Sequence, residues 1–267
     1  MTKVFVIDYK GCVGCHDCQI GCKDEHCGNE WLPYAASQPM RDQFWCKVNQ
    51  YERGARPHVK VTYLPRLCNH CDAAPCVAAA PDAVYKRDDG LVIIDPVKAR
   101  GKKGIVESCP YHVIYWNEEL QLPQKCTGCA HLLDGDHPIK VPRCVDNCHI
   151  DIIQFGEEES FDLSNCEVMH PEYGTQPRVY YKGGMPRKFV AGTVYDPIAK
   201  EAIIGAVATL TGEAGTYTAI TDGWGDFWLR DLPDADFSLR IEHEGKAKTL
   251  EVSTRTTDIG LGDIALA

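Results

Sequence analysis

The last third of the chain is a succession of short segments in which apolar and polar residues alternate. This period of two is typical of strands that bury one face. Turn residues such as Asp222 and Gly223 separate the segments. The pattern predicts seven strands, at residues 188–195, 206–210, 217–221, 226–229, 237–242, 247–252 and 259–265. Seven short strands at this spacing indicate a β-sandwich over residues 185–267.

Residues 1–184 have a different pattern, in which polar loops separate a few apolar runs. Residues 3–8 and 91–95 predict short strands, the second after an Asp-Asp-Gly turn. Residues 31–66 form a long insertion, and the proline-rich segment 171–186 predicts a linker. We therefore expect an α+β protein with two domains, at residues 1–184 and 185–267.

The chain has 15 cysteines, and the spacing of twelve of them is typical of iron-sulfur proteins. Each iron of a [4Fe-4S] cube takes one external thiolate, and a C-x2-C-x2-C run supplies three of the four. The first run has this spacing, the run from Cys68 is C-x2-C-x4-C, and altogether the sequence contains three sets of four cysteines. They are Cys12, Cys15, Cys18 and Cys22; Cys126, Cys129, Cys144 and Cys148; and Cys68, Cys71, Cys76 and Cys109.

In two-cluster ferredoxins the fourth cysteine of a run binds the other cluster. This rule predicts a first cluster on Cys12, Cys15, Cys18 and Cys148, and a second on Cys126, Cys129, Cys144 and Cys22. The third takes Cys68, Cys71, Cys76 and Cys109. It also predicts short helices at residues 18–24 and 144–152, related by a pseudo-twofold axis. The expected domain is a ferredoxin-like double-cluster module with long loops.

A fourth ligand set is missing as a unit. Where the run from Cys68 would close with Cys-Pro, the chain has Ala80 and Pro81, and residues 100–108 contain no cysteine. One complete set of four thiolates is thus absent while its neighbour is intact. This pattern indicates an ancestral plan of four clusters and a present one of three.

Zinc and disulfides are the alternatives to clusters. Zinc sites with four cysteines are usually built from two separated pairs, whereas three or four cysteines in one short loop suit a cube better. Disulfides are the weakest option for a 267-residue chain without a signal peptide. We assign no role to Cys27, Cys46 and Cys166, which we expect to be small buried residues.

Charge and hydropathy exclude several classes of partner. The formal net charge is -10, and bound clusters add negative charge, so a nucleic-acid partner is not expected. The N-terminal residues lack the pattern of a secretory signal, and no stretch has the roughly 20 apolar residues of a membrane span. We expect a cytoplasmic protein.

Residues 1–184 resemble the iron-sulfur subunits that accompany molybdopterin enzymes of the dimethyl sulfoxide reductase family. The resemblance rests on the cysteine runs and on the stretches LCNHCDAAPCV (67–77), SCPY (108–111) and QKCTGCAH (124–131). Residues 221–227, followed by Leu232 and Pro233, resemble a transthyretin-like or Cna-B-like sandwich. Within the family, three clusters plus a sandwich are most similar to the subunits of hydroxylases and transhydroxylases of polyhydroxylated aromatics.

The resemblance implies a non-catalytic electron-transfer subunit. Catalysis would belong to a large partner subunit that carries molybdopterin guanine dinucleotide with molybdenum or tungsten, in a heterodimer or larger complex. Two alternatives stay open, namely a free-standing polyferredoxin and a subunit of another anaerobic reductase of the family. The sandwich and the insertion at 31–66 favour a subunit of a molybdopterin enzyme over a free-standing polyferredoxin, because a diffusing carrier has little use for extra docking surface.

Basic residues and histidines near the runs are candidates for tuning the clusters. Lys23, Arg66, Lys125 and Arg143 are either offsets to cluster charge or ordinary surface residues. His16, His70, His131 and His149 are expected to pack or hydrogen-bond beside the clusters rather than to bind iron, because every set already has four cysteines.

Overall fold

The computed structural model describes residues 2–267, which divide into two compact units. The first comprises the chain up to Gln50 together with Tyr63–Met185, and the second comprises Tyr51–Thr62 and Pro186–Ala267. The sequence pattern places residues 51–62 in the first domain, whereas in the structure they group with the second. Composition alone does not reveal that this segment belongs to the second unit, because the segment has no turn or linker signal at either end.

Strands dominate both units, and the helices are short. Ten strands precede the second unit's main segment: β1 (Lys3–Ile7), β2 (Lys47–Ala55), β3 (His58–Arg66), β4 (Val84–Lys86), β5 (Val92–Ile94), β6 (Tyr115–Asn117), β7 (Leu122–Gln124), β8 (Ile153–Glu157), β9 (Cys166–Val168) and β10 (Val179–Lys182). Five α-helices accompany them: α1 (Asp17–His26), α2 (Pro75–Ala79), α3 (Gly104–Glu107), α4 (Ala130–Asp134) and α5 (Arg143–Asp146).

One four-stranded sheet organises the first unit, in the order β8-β1-β10-β9. Strand β1 is antiparallel to β8 and parallel to β10. Four of its five residues are buried, which explains why it reads as a continuous apolar run. Because β1 leads into the first cysteine loop and β8 follows the last, the sheet brings these distant segments together.

The predicted linker is wrong, because residues 179–182 form strand β10 in the middle of this sheet. Val179 and Tyr181 are fully buried there. The prolines that suggested a linker flank the strand and do not interrupt it. The insertion at 31–66 likewise contains the paired strands β2 and β3, while β4-β5 and β6-β7 form two further two-stranded sheets.

Helix α1 confirms the predicted helix at 18–24, but its predicted mate at 144–152 is wrong in length. Helix α5 ends at Asp146, and Cys148 lies beyond it. Asp151 has a φ of 54°, which no helix tolerates. The pseudo-twofold relation between the two runs is therefore inexact. Helix α1 and the end of α5 approach closely at Gly21, where an added Cβ would clash with the Asn147 side chain.

Residues 186–267 of the second unit contain eight strands, one more than predicted for this part of the chain. They are β11 (Lys188–Asp196), β12 (Glu201–Ala202), β13 (Val207–Gly212), β14 (Gly215–Ile220), β15 (Asp226–Leu232), β16 (Asp236–His243), β17 (Lys246–Ser253) and β18 (Ile259–Ala265). The additional strand is β12, whose two residues are too few to show alternation. Strands β12, β11 and β15 form one sheet, with β18 parallel to β11, and β14-β13-β16-β17 form the other.

Both sheets contribute to one hydrophobic core in this unit. Inward-facing residues alternate with exposed ones along β13 and β16. The core includes Val190, Val194, Ala208, Leu210, Phe227, Leu229, Leu239, Ile241 and Ile264. Across residues 2–267, no helix combines the length and the apolarity needed to cross a membrane.

Candidate iron-sulfur centres

The first predicted ligand set gathers where β1 and β8 meet. Cys12 and Cys15 lie in the loop after β1, Cys18 begins the first turn of α1, and Cys148 lies between α5 and β8. Burial raises the pKa of Cys12, and the charges of Cys18, Cys15 and Cys148 raise it further. All three thus act on one thiol. Cys15 is exposed, and it is the only exposed cysteine among the described residues.

The second set is fully buried. Cys126 and Cys129 lie in the loop before α4, Cys144 is in α5, and Cys22 comes from the last turns of α1. Burial raises the pKa of Cys22 well above its ordinary value, and the charges of Cys126, Cys129 and Cys144 add to this effect. Cys22 therefore lies near the three cysteines of the other run.

The third set lines a cavity. Cys68, Cys71, Cys76 and Cys109 all face it, together with apolar residues and Lys125. Burial raises the pKa of Cys71 to about 12, and the charges of the other three cysteines contribute. Such a group of buried thiols is costly to ionise unless a cation compensates the charge, and a metal cluster supplies that compensation.

The three loops share one local backbone geometry. In the first C-x2-C pair of each loop the residue two positions after the first cysteine has a positive φ, namely Gly14 (71°), His70 (45°) and Gly128 (63°). Its N–H donates to the sulfur of that first cysteine, at 3.4 Å for His70 and 3.3 Å for Gly128, and Gly14 donates to Cys12 in the same way. Amide donors of this kind stabilise thiolates, so the donor set fits an iron-sulfur cluster.

Cys46 connects the first two sets, which the sequence did not predict. It is 1% exposed, and its thiol is within hydrogen-bonding range of the sulfurs of Cys18 and Cys144. Its backbone N–H donates to Cys22. The prediction of burial holds for Cys46 but is wrong for Cys27 and Cys166, which are only partly buried.

A buried polar network adjoins the second set. His26 Nε2 lies 3.7 Å from Cys129 Sγ, and burial lowers the pKa of His26 to about 3, which keeps the ring neutral. Glu25 accepts hydrogen bonds from His131 Nε2 at 2.9 Å and from Arg143 Nε at 2.5 Å. His26 and Glu25 are not among the residues that the sequence predicts for the site. The available signal is that His26 follows Cys22 by four residues and so shares its helix face.

The other singled-out basic residues and histidines have varied surroundings. Lys23 donates to the carbonyls of Pro39 and Gln43, and Arg66 donates to that of Tyr111. His149 Nδ1 lies 3.1 Å from the Asp17 carboxylate and 4.0 Å from the sulfur of Cys15.

Two of the histidines contribute to the backbone structure near the cysteine runs. His70 accepts a hydrogen bond from the backbone of Val92, and His16 is the left-handed residue before α1. That histidines do not bind iron stays a prediction.

Apolar side chains fill the segments that lack the fourth set. Ala80, Ala83, Ala99 and Ile105 are all buried in the hydrophobic core of the first unit. Among residues 2–267, one group of histidine, cysteine and carboxylate side chains has the spacing of a mixed metal site, and it is Cys15, Asp17 and His149. Cys15 already belongs to the first set.

Comparison with known proteins agrees with this site. A family model described as a 4Fe-4S dicluster domain matches residues 59–158. One subunit of the tetrathionate reductase of Salmonella typhimurium is 33% identical over 67% of this chain and 71% of its own. One subunit of the sulfite dehydrogenase of Allochromatium vinosum is 31% identical over 70% and 85%. The chain belongs to the iron-sulfur subunits of the dimethyl sulfoxide reductase family of molybdopterin enzymes.

Within that class, one relative matches almost from end to end. The chain is 38% identical to the small subunit of pyrogallol hydroxytransferase from Pelobacter acidigallici, over 96% of each chain. A match over 96% of this chain must include the second unit. The matches to the other two relatives cover 67–70% of the chain and can leave the second unit out. The protein is thus an electron-transfer subunit whose redox groups are [4Fe-4S] clusters.

Proposed function

We propose that this chain carries three [4Fe-4S] clusters for a large molybdenum or tungsten pterin subunit that acts on polyhydroxylated aromatics. The observation that carries the proposal is the convergence of twelve cysteines in groups of four. The proposed ligand sets are Cys12, Cys15, Cys18 and Cys148; Cys22, Cys126, Cys129 and Cys144; and Cys68, Cys71, Cys76 and Cys109.

The exchange of Cys22 and Cys148 between the two runs has independent support in each direction. The charges that act on Cys22 come from the run that begins at Cys126, and Cys148 acts on Cys12. Helix α1 carries Cys18 and Cys22 one turn apart, so that their sulfurs serve neighbouring sets. The first two sets are interlocked in this way, and Cys46 lies between them.

When bound, the clusters supply one-electron chemistry, and the chain's residues hold and tune them. The amides of Gly14, His70 and Gly128 donate to thiolate sulfurs, which favours the more reduced, more negative state. His26 adds a neutral donor beside Cys129. These contacts are the means by which the protein sets relative potentials.

The partner proposal rests on the end-to-end similarity to a named small subunit. We place the docking edge at the first set, because Cys15 is exposed and electron exchange requires close approach. Val13 and Ile20, which flank it, are each 61% exposed and offer apolar contact area. The two sheets of the second unit support a transthyretin-like or Cna-B-like sandwich at 185–267, which follows an iron-sulfur domain at 1–184 in the sequence.

Anaerobic purification of the native complex with metal analysis tests this function. We expect a large pterin-containing chain to co-purify with molybdenum or tungsten, and about twelve irons per small chain. An iron-containing chain that purifies alone under gentle conditions would instead indicate a free polyferredoxin. Colourless, zinc-containing protein would contradict the cluster assignment altogether.

A further inference from the structure

Lys125 stands apart from the other basic residues near the clusters. It is only 2% exposed, although lysine is rarely buried without compensation. It directly precedes Cys126 of the second set, and its side chain lines the cavity formed by the third set. A cation in this position touches two of the three proposed cluster sites.

The hydrogen bonds of Lys125 use all three N–H donors of a protonated ammonium group. Its Nζ donates to the carbonyls of Val92 at 2.5 Å and Cys126 at 3.0 Å, and it also hydrogen-bonds the sulfur of Cys68. An ammonium has three donors and no acceptor, so three acceptors use it completely. A neutral amine would have only two donors for the same three groups.

The surrounding charges are those of cluster ligands. The sulfur of Cys68 accepts one of the hydrogen bonds from Lys125, Cys76 lines the same cavity, and Cys126 is the next residue along the chain. By contrast, Arg143 is paired with Glu25 and Asp146, so its charge is already offset.

We infer that Lys125 is a buried cation that raises the reduction potential of the third cluster, and to a smaller extent that of the second. The inference rests on the proposed function, since it requires clusters in both sets. Reduction adds a negative charge to a cluster, and a nearby cation in a medium of low dielectric constant stabilises that charge. Lys125 acts through its positive charge alone, and it is not an iron ligand.

Lys86 offers a matched control near the same loop. Its Nζ also donates to backbone carbonyls, at 3.0 Å for His70 and 3.1 Å for Cys71. However, its side chain is 27% exposed and is paired with the Asp72 carboxylate at 2.8 Å. Its charge should therefore be screened and offset, although the change of residue is identical.

The test is an EPR-monitored redox titration of the full chain in its complex, with K125Q, K125R and K86Q. The glutamine keeps donors for the carbonyls and removes the charge. A C71S variant identifies the signal of the third cluster. We expect K125Q to lower the reduced-to-oxidised ratio of that cluster about tenfold at a fixed solution potential. For a one-electron couple this corresponds to a reduction potential that is lower by about 59 mV. K125R and K86Q should shift it far less, and the first cluster should not move.

Several outcomes would overturn the inference. They are an unshifted third cluster in K125Q, equal shifts in K125Q and K125R, and an equal shift in K86Q. If K125Q loses iron from the third set while K125R retains it, the charge is needed to hold the cluster and not to set its potential, and the inference is wrong; loss in both variants contradicts it as well. Iron content of the unmodified protein is measured first, so that failure of the proposed function is recognised separately.

Discussion

Glu25 is a buried carboxylate whose two partners come from distant parts of the chain. Burial acts to raise its pKa, but the hydrogen bonds from Arg143 and His131 hold the pKa below its ordinary value. A group with a lowered folded-state pKa stabilises the fold above its unfolded-state pKa, and this contribution is lost as the pH falls through the folded-state value. At neutral pH the contribution is therefore complete.

We expect E25Q to lower the free energy of unfolding by about 1–3 kcal/mol at neutral pH, because Arg143 and His131 each lose a charged acceptor. The midpoint of urea-induced loss of cluster absorbance in anaerobic protein measures this. Asp24, exposed on the same helix, provides the control D24N, which should cost little. Equal midpoints for E25Q and the unmodified protein would contradict this account of the network.

At the scale of single residues, the sequence predicts the site residues that have a recognisable local spacing. It does not predict those that only folding brings to the site. The twelve cysteines are recognisable because local runs must wrap one cube. Glu25 and Cys46 are not, since their partners lie far away along the chain and nothing in the local sequence identifies them, and His26 is indicated only by its position four residues after Cys22. Lys125 is intermediate, because its position beside Cys126 is evident but its burial is not.

The C-x2-C turn is the element that the three sites have in common. It requires a left-handed residue at its third position, and glycine fills that position in two of the three loops. At Gly128 the neighbouring space is also full, since an added Cβ would lie 2.7 Å from the Leu91 side chain. Gly174 has nearly the same φ, 64°, with nothing within 4 Å of an added Cβ.

These two glycines separate conformational cost from steric cost. We expect G174A to destabilise the protein by about 1–2 kcal/mol through its positive φ alone. G128A should cost about 1–3 kcal/mol more, because Leu91 must move, and it should reduce the iron retained by the second set. Iron content and urea midpoints of the two variants measure the difference. Equal losses would show that packing at Leu91 contributes nothing.

Among the regular elements, those with a clear period or a continuous apolar run are the ones that the sequence predicts. The seven alternating segments correspond to β11 and β13–β18, and the apolar runs at residues 3–8 and 91–95 correspond to β1 and β5. Strands of three or four residues, such as β9 and β10, are too short for a period to appear. The helix predicted at 144–152 follows from an assumed symmetry with α1, and the chain breaks that symmetry at Asn147 to Asp151.

For the whole molecule, the sheet that joins β1 to β8 is what makes shared clusters feasible. It holds the start of the first cysteine loop beside the end of the last, although almost 150 residues separate them in the sequence. The fold of the first unit thus brings together the two runs between which the ferredoxin rule predicts an exchange of ligands. Apolar packing at Ala80 and Ile105 occupies the segments of the absent fourth set.

The ligand exchange is tested most directly by comparing the EPR spectra of three reduced variants, C148S, C12S and C126S, with iron counted in each. Cys148 is close to Cys144 in the sequence but belongs with Cys12 in our assignment. We predict that C148S loses or alters the same signal as C12S and leaves the signal affected by C126S intact. A C148S spectrum that matches C126S and not C12S would contradict the assignment.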